Sequence, residues 1–238
     1  MKKGKIITVS SGKGGVGKTI FATNLAGVYQ SLKYKTLLID FDLTSGGISV
    51  LLDLPKNKTI YNLSDDILNN RFKESMEYVY HYDEYVDIIP SCKDPREGNK
   101  IDSKILEQII TIYKNHYDVI ILDTNHIPNN ASLTAIDMAD KILFMITDNP
   151  LDLKNSTNLL TIFKKNNKTN IKVILNNSLN CEKNYFSQFD IKNILSHNID
   201  YILPSSMYIK NINKYIMDGQ ILVLNNKLSF KNDNDREL

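Results

Sequence analysis

The sequence predicts an α/β protein: a mostly parallel, twisted sheet of about seven strands flanked by helices. Two observations carry this. Short runs rich in Ile, Leu and Val recur without polar alternation, as expected of strands covered on both faces. Longer amphipathic stretches separate most of them, and strand–helix–strand repetition implies right-handed crossovers within one sheet.

The expected strands are "KIITVSS" (5–11), "KTLLID" (35–40), "VDIIPS" (86–91), "DVIILDT" (118–124), "KILFMIT" (141–147), "KVILNN" (172–177) and "YILPS" (201–205). The clearest helical patterns span 18–32, 102–115, 151–165 and 207–217. The 238 residues, 42% of them hydrophobic, suffice for one large core. No boundary, repeat or linker interrupts the chain, so residues 1–225 are expected to form a single domain and 226–238 a polar tail.

Composition excludes several classes. A net charge of +2 demands neither nucleic acid nor a membrane surface. Cys92 and Cys181 form no paired motif, which suits a reducing compartment. The four histidines show no metal-ligand spacing. The apolar run after "MKKGK" is too short for a signal core, and no run approaches the roughly 20 residues that span a bilayer. A cytoplasmic protein is expected.

The chemistry concentrates at strand ends. Residues 12–19, "GKGGVGKT", follow a strand and open a helix, the context of a phosphate-binding loop. Gly12, Gly14, Gly15 and Gly17, with Val16 between them, let the backbone wrap phosphates with its N–H groups. The helix start at Lys18, Thr19 and Ile20 adds a positive end. Lys18 is expected on the β- and γ-phosphates and Thr19 on Mg²⁺. "LLIDFD" places Asp40 and Asp42 at the second strand's end, and "YDVIILDT" ends an apolar strand in Asp123, the Walker B pattern. Asp40 is expected to stand behind the metal site without ligating it, with a role as loop former the alternative. Thr19, Asp42 and Asp123 are the candidate Mg²⁺ ligands, since hard cations take oxygen donors.

"KGGVGKT", with the early Lys13, resembles the deviant phosphate loop of the MinD/ParA family of P-loop ATPases, and the likeness extends from residue 4 to about 224. The resemblance implies ATP and Mg²⁺ as cofactors and an ATP-dependent homodimer in which Lys13 reaches the partner's phosphates. The bland alternative is a solvated loop charge. The resemblance assigns Asp42 to the attacking water, Asn176 or its neighbour Asn177 to the adenine edge, and Pro204 and Ser205 to the base pocket. The absence of Asn-Lys-x-Asp favours ATP over GTP.

Departures and branch features follow. Family members continue from Asp123 with Asp-x-Pro, whereas this chain has "DTNHIPNN", with Asn125 at the proline position. That bears on hydrolysis and switching rather than on binding. His126 in this loop is a further candidate base. "SVLLDL", the "PSCKDP" run and "SLTAIDMADKILF" resemble the TadZ/CpaE branch, whose members place Tad-type pili. The alternatives are a ParA- or MinD-type positioning ATPase and a non-hydrolysing scaffold.

Partners are expected to be protein. Lysines 154, 164, 165, 168 and 172 are a candidate DNA face, though such a run is commonly a solvated one. Tyrosines 78, 80, 82 and 85 form either a partner surface or sheet-edge packing. The tail offers only Leu228 and Phe230 before Leu238, about 3–5 kcal/mol of transfer free energy, and carries acids at 233, 235 and 237. No intrinsic membrane anchor is expected; recruitment to a membrane or pole would need a partner.

Overall fold

The structure is a computed structural model that describes residues 4–55, 57–179, 185–209 and 218–225, together with Ile212 and Tyr215. Cys181, the tail at 226–238 and most of the helix expected at 207–217 lie outside the described residues.

The strands are β1 (Lys5–Ser11), β2 (Thr36–Phe41), β3 (Tyr80–His81), β4 (Val86–Ile89), β5 (Val119–Thr124), β6 (Lys141–Ile146), β7 (Ile171–Asn176) and β8 (Tyr201–Leu203). They form one sheet in the order β3-β4-β2-β5-β1-β6-β7-β8. Every pairing is parallel except β3 with β4. The seven expected strands are all present, and β3 is the addition. It is two residues long inside a Tyr-rich run, so it carries no apolar stretch to announce it.

The helices are α1 (Lys18–Ser31), α2 (Gly47–Leu51), α3 (Ile60–Leu68), α4 (Pro95–Gly98), α5 (Ser103–Tyr113), α6 (Asn130–Met138), α7 (Pro150–Lys165) and α8 (Gln188–Leu195). Strand periodicity divides the core between the two faces of the sheet. Ile6, Leu37, Ile39, Ile120 and Leu122 pack with Leu63, Leu106, Ile109 and Ile110 of α3 and α5. Their alternates Ile7, Val9, Leu38 and Ile121 pack with Ala22, Ala26 and Ile48 of α1 and α2. A third cluster joins Phe144, Ile146, Val173 and Leu175 to Leu153, Leu160 and Ile191 of α7 and α8.

The tyrosine run packs inward. Tyr78 is buried and donates to Asp66 Oδ2 at 2.6 Å, and the Tyr82 hydroxyl accepts from Ile221 N at 2.9 Å. This is the sheet-edge packing reading of those residues. Among the described residues no helix is long and apolar enough to cross a membrane.

Candidate functional site

The central strands β1, β2 and β5 end side by side, and their carboxyl ends carry the loop 12–17, Asp40 and Asp123. Parallel register sets Asp40 directly opposite Asp123, and Val9 of β1 on the other side of Asp123. The adjacency of the two acids is therefore a consequence of strand pairing.

The loop is shaped by its glycines. Gly17 caps α1 at φ 92°, a conformation that side chains avoid, and a Cβ there would lie 2.8 Å from Asn176 Nδ2. A Cβ on Gly12 would lie 2.8 Å from the Ser156 amide, so α7 also presses on the loop. No side chain caps the α1 N-terminus. Its first-turn amides are thus the kind of donors that bind anions.

Lys18 is buried, and its Nζ donates to Ser11 Oγ at 2.9 Å. Burial lowers its pKa, while Asp123, Asp42 and Asp152 pull it back up. Ser11 Oγ in turn donates to the Lys13 carbonyl at 2.7 Å. Lys13 itself stands near Asp152 at the start of α7. Burial pushes the Asp152 carboxyl up, and hydrogen bonds from Thr147 and Ser156 with the Lys13 charge draw it back.

Asp123 is fully buried, and neither carboxylate oxygen has a hydrogen-bond partner. Burial is the main cause that raises its pKa, and Asp42 adds to it. The Thr19 hydroxyl and the Lys18 charge oppose the rise. Thr19 stands close enough to act on the charge without making a hydrogen bond of acceptable geometry. Asp40 is equally buried but satisfied, accepting from the Ile48 amide at 3.0 Å and the Asp42 amide at 3.1 Å. Burial and the neighbouring Asp123 still raise its pKa well above the usual carboxylate range. It braces the turn into α2.

Asp42 lies half-buried at the rim. Its Oδ1 accepts from the Thr44 hydroxyl at 3.0 Å, the Ser45 amide at 3.0 Å and Asn125 Nδ2 at 2.9 Å. His126 lies beside the loop, its ring 3.3 Å from where a Gly14 Cβ would stand.

At the other end of the loop, Asn176 is buried and donates to the Val16 carbonyl at 2.9 Å, while its Oδ1 accepts from Ser178. Asn177 Oδ1 is buried and unpartnered. A cavity of about 320 Å³ opens here, lined by Gly17, Asn176, Ser178, Leu179 and the α1 side chains Ile20 and Phe21. Leu203 and Met207 line it, with Pro204 and Ser205 lying between them in the chain.

The donors fit Mg²⁺ held jointly with a nucleotide. Mg²⁺ is commonly bound through one or two carboxylates plus substrate phosphates rather than by an all-protein cage. Asp123 offers two oxygens without donors, and Thr19 faces them. Among the described residues no three His, Cys, Asp or Glu side chains could hold a metal by themselves.

The AAA domain family AAA_31 matches residues 4–180. The chain belongs to that family. It is also similar to the septum site-determining protein MinD of Thermotoga maritima, 25% identical over 209 residues, covering 85% of this chain and 76% of that one. Among solved structures it resembles a ParA family ATPase from Chlorobium tepidum, with TM-score 0.82 and 21% identity over 97% of this chain and 94% of the other. It likewise resembles MinD from Pyrococcus horikoshii complexed with Mg-ADP, with TM-score 0.76 and 22% identity over 96% and 90% of the two chains. The α/β fold is that of the MinD/ParA P-loop proteins, with eight strands and one antiparallel pair.

Sequence reasoning did not find Ser11, Asp152 or Ser156. Ser11 carried no signal beyond its position beside the glycines. Asp152 and Ser156 meet the loop only through the packing of α7.

Proposed function

We propose that this chain is a MinD/ParA-type ATPase that binds Mg·ATP at loop 12–19, hydrolyses it slowly, and uses an ATP-dependent homodimer to position a cellular component through a protein partner. The observation that carries the reading is Asp123, a fully buried carboxylate with no donor on either oxygen, beside Lys18 and Thr19. A buried unsatisfied charge costs about 1–3 kcal/mol or more. A bound cation facing it removes that cost.

Each residue has a task. The loop amides and Lys18 hold the β- and γ-phosphates. Thr19 and Asp123 would hold Mg²⁺, which would neutralise charge developing on the phosphates. Asp42 orients the attacking water. Asn176 anchors the base end to the loop. Lys13 leaves Asp152 and reaches the partner subunit's phosphates when two chains meet across a two-fold axis.

The likeness to MinD and ParA favours a positioning ATPase over the narrower Tad pilus role, which rests on the "SVLLDL", "PSCKDP" and "SLTAIDMADKILF" segments. Two of the five lysines offered as a DNA face are already paired, Lys168 with Asp137 at 2.8 Å and Lys172 with Asp200 at 2.7 Å. That supports a solvated face.

Sizing chromatography with ATP, run beside an ATP-turnover assay, tests the reading. The wild type should dimerise and release phosphate, and Lys13→Ala should bind ATP as a monomer. A Lys13→Ala dimer as stable as wild type refutes the trans role. Dimerisation without turnover identifies a scaffold instead.

A further inference from the structure

We propose that Asn125 is a positioning residue for ATP hydrolysis: its side-chain amide holds Asp42 by one carboxylate oxygen and leaves the other for the attacking water. The inference rests on the ATPase reading above and adds to it the residue that aims Asp42.

The geometry is specific. Asn125 is buried, and its Nδ2 donates to Asp42 Oδ1 at 2.9 Å and to Thr44 Oγ1 at 2.8 Å. Its Oδ1 accepts from the Ile127 amide at 3.0 Å. An N–H must meet the oxygen and the carboxylate must meet the NH₂, so these partners fix which way the amide faces. Thr44 Oγ1 and the Ser45 amide donate to the same Asp42 Oδ1. Three donors therefore converge on one oxygen, and no hydrogen bond reaches Oδ2 among the described residues.

Two of these donors are local. Thr44 and Ser45 follow Asp42 in its own turn and move with it. Asn125 is 83 residues away, in the loop after β5. Among the described residues it is the one hydrogen bond to the Asp42 carboxylate from outside its own turn, and it comes from the loop that follows Asp123. A proline at this position has no donor and could not make it. Asp40 and Ser91 hold the backbone of the turn, so without the tie it is the Asp42 side chain that gains freedom to rotate, and a misplacement of about 1 Å can cost about a hundredfold in rate.

The test measures kcat and KM for ATP at saturating Mg²⁺ for wild type, Asn125→Ala, Asn125→Asp, Asp42→Ala and the Asp42→Ala/Asn125→Asp double variant. Asn125→Asp is the informative substitution. Its carboxylate can still accept from Ile127 N, which keeps the turn, yet it offers no donor to Asp42 and repels it. Asn125→Ala and Asn125→Asp should each lower kcat by about ten- to a hundredfold, with KM for ATP within about twofold of wild type. In the Asp42→Ala background, Asn125→Asp should add nothing, because a residue acting only through Asp42 has nothing left to position.

Wild-type kcat in both Asn125 variants, or a rise in kcat, overturns the inference alone. So does a loss confined to KM, a further loss in the double variant, or collapse of the thermal melt in both singles, which marks a structural residue. A wild-type chain that binds ATP without turning it over overturns both the inference and the hydrolytic part of the proposed function.

Discussion

Asp87 and Asp123 both sit on strands of the same sheet, and the chain surrounds them in opposite ways. Asp87, on β4, has the Tyr117 hydroxyl on Oδ2 at 2.6 Å and the His81 ring nitrogen on Oδ1 at 2.5 Å. Asp123, on β5, is buried completely and has no donor on either oxygen. Asp140 and Asp200 follow the Asp87 pattern: each accepts from a backbone amide and pairs with a lysine. An acid that only holds the fold together brings its own partners. One left bare at the carboxyl end of a central strand is set for a partner from outside, at a cost in stability that a functional site tolerates.

The comparison breaks first at Lys18. If the bare acid and the buried ammonium form a nucleotide site, Lys18→Ala should weaken ATP binding by about 2–5 kcal/mol, roughly thirty- to several-thousandfold. Isothermal calorimetry reads this directly. Equal affinity in the variant and the wild type would mean that the loop is a glycine turn and that the bare acid has another explanation.

Asp123→Asn sharpens it. The substitution keeps shape and removes the charge. Burial raises the Asp123 pKa to about 7, so without nucleotide the wild type should lose stability in denaturant unfolding as pH rises from the ordinary carboxylate range through about 7, and the variant should lack that fall. Mg²⁺-dependent ATP affinity should fall at least tenfold over the same variant pair (~1.4 kcal/mol per factor of ten). A variant less stable than wild type and unchanged in Mg²⁺ dependence would place Asp123 with Asp87, as a fold residue.

How much of this was legible in the sequence follows from the range of each interaction. Strands with continuous Ile and Val runs declare themselves, because burial on both faces demands that composition. β3 does not, because two residues paired at an edge need no apolar content. The loop glycines and Lys18 are legible because their chemistry is local, and Asp42 and Asp123 because strand ends point to one site. The Asn125–Asp42 tie and the Asn176–Val16 bond join residues 83 and 160 positions apart. No local pattern encodes such bonds; they exist only once the sheet order is set. Asn125 was visible as a departure, but its meaning needed the partner it touches.

The smallest effect tests the satisfied side of the comparison. Tyr117→Phe removes the hydroxyl from Asp87 Oδ2 and little else, since the ring remains packed beside Tyr113 at 6.2 Å between centroids. Burial and the hydrogen bond to Asp87 already raise the Tyr117 pKa, so near neutral pH the phenol is the donor and Asp87 the acceptor. Losing one donor leaves a mostly buried carboxylate oxygen bare and should cost about 1–2 kcal/mol of stability. His81 still meets the other oxygen, which limits the loss. The site lies at the opposite ends of the central strands, so ATP affinity should stay within about twofold of wild type, a difference under ~0.4 kcal/mol. Denaturant unfolding and calorimetry on one preparation give both numbers. A variant with unchanged stability would show that Asp87 does not depend on its partners. A variant with weakened ATP binding would show that the two acids belong to one coupled network rather than to separate structural and functional sets.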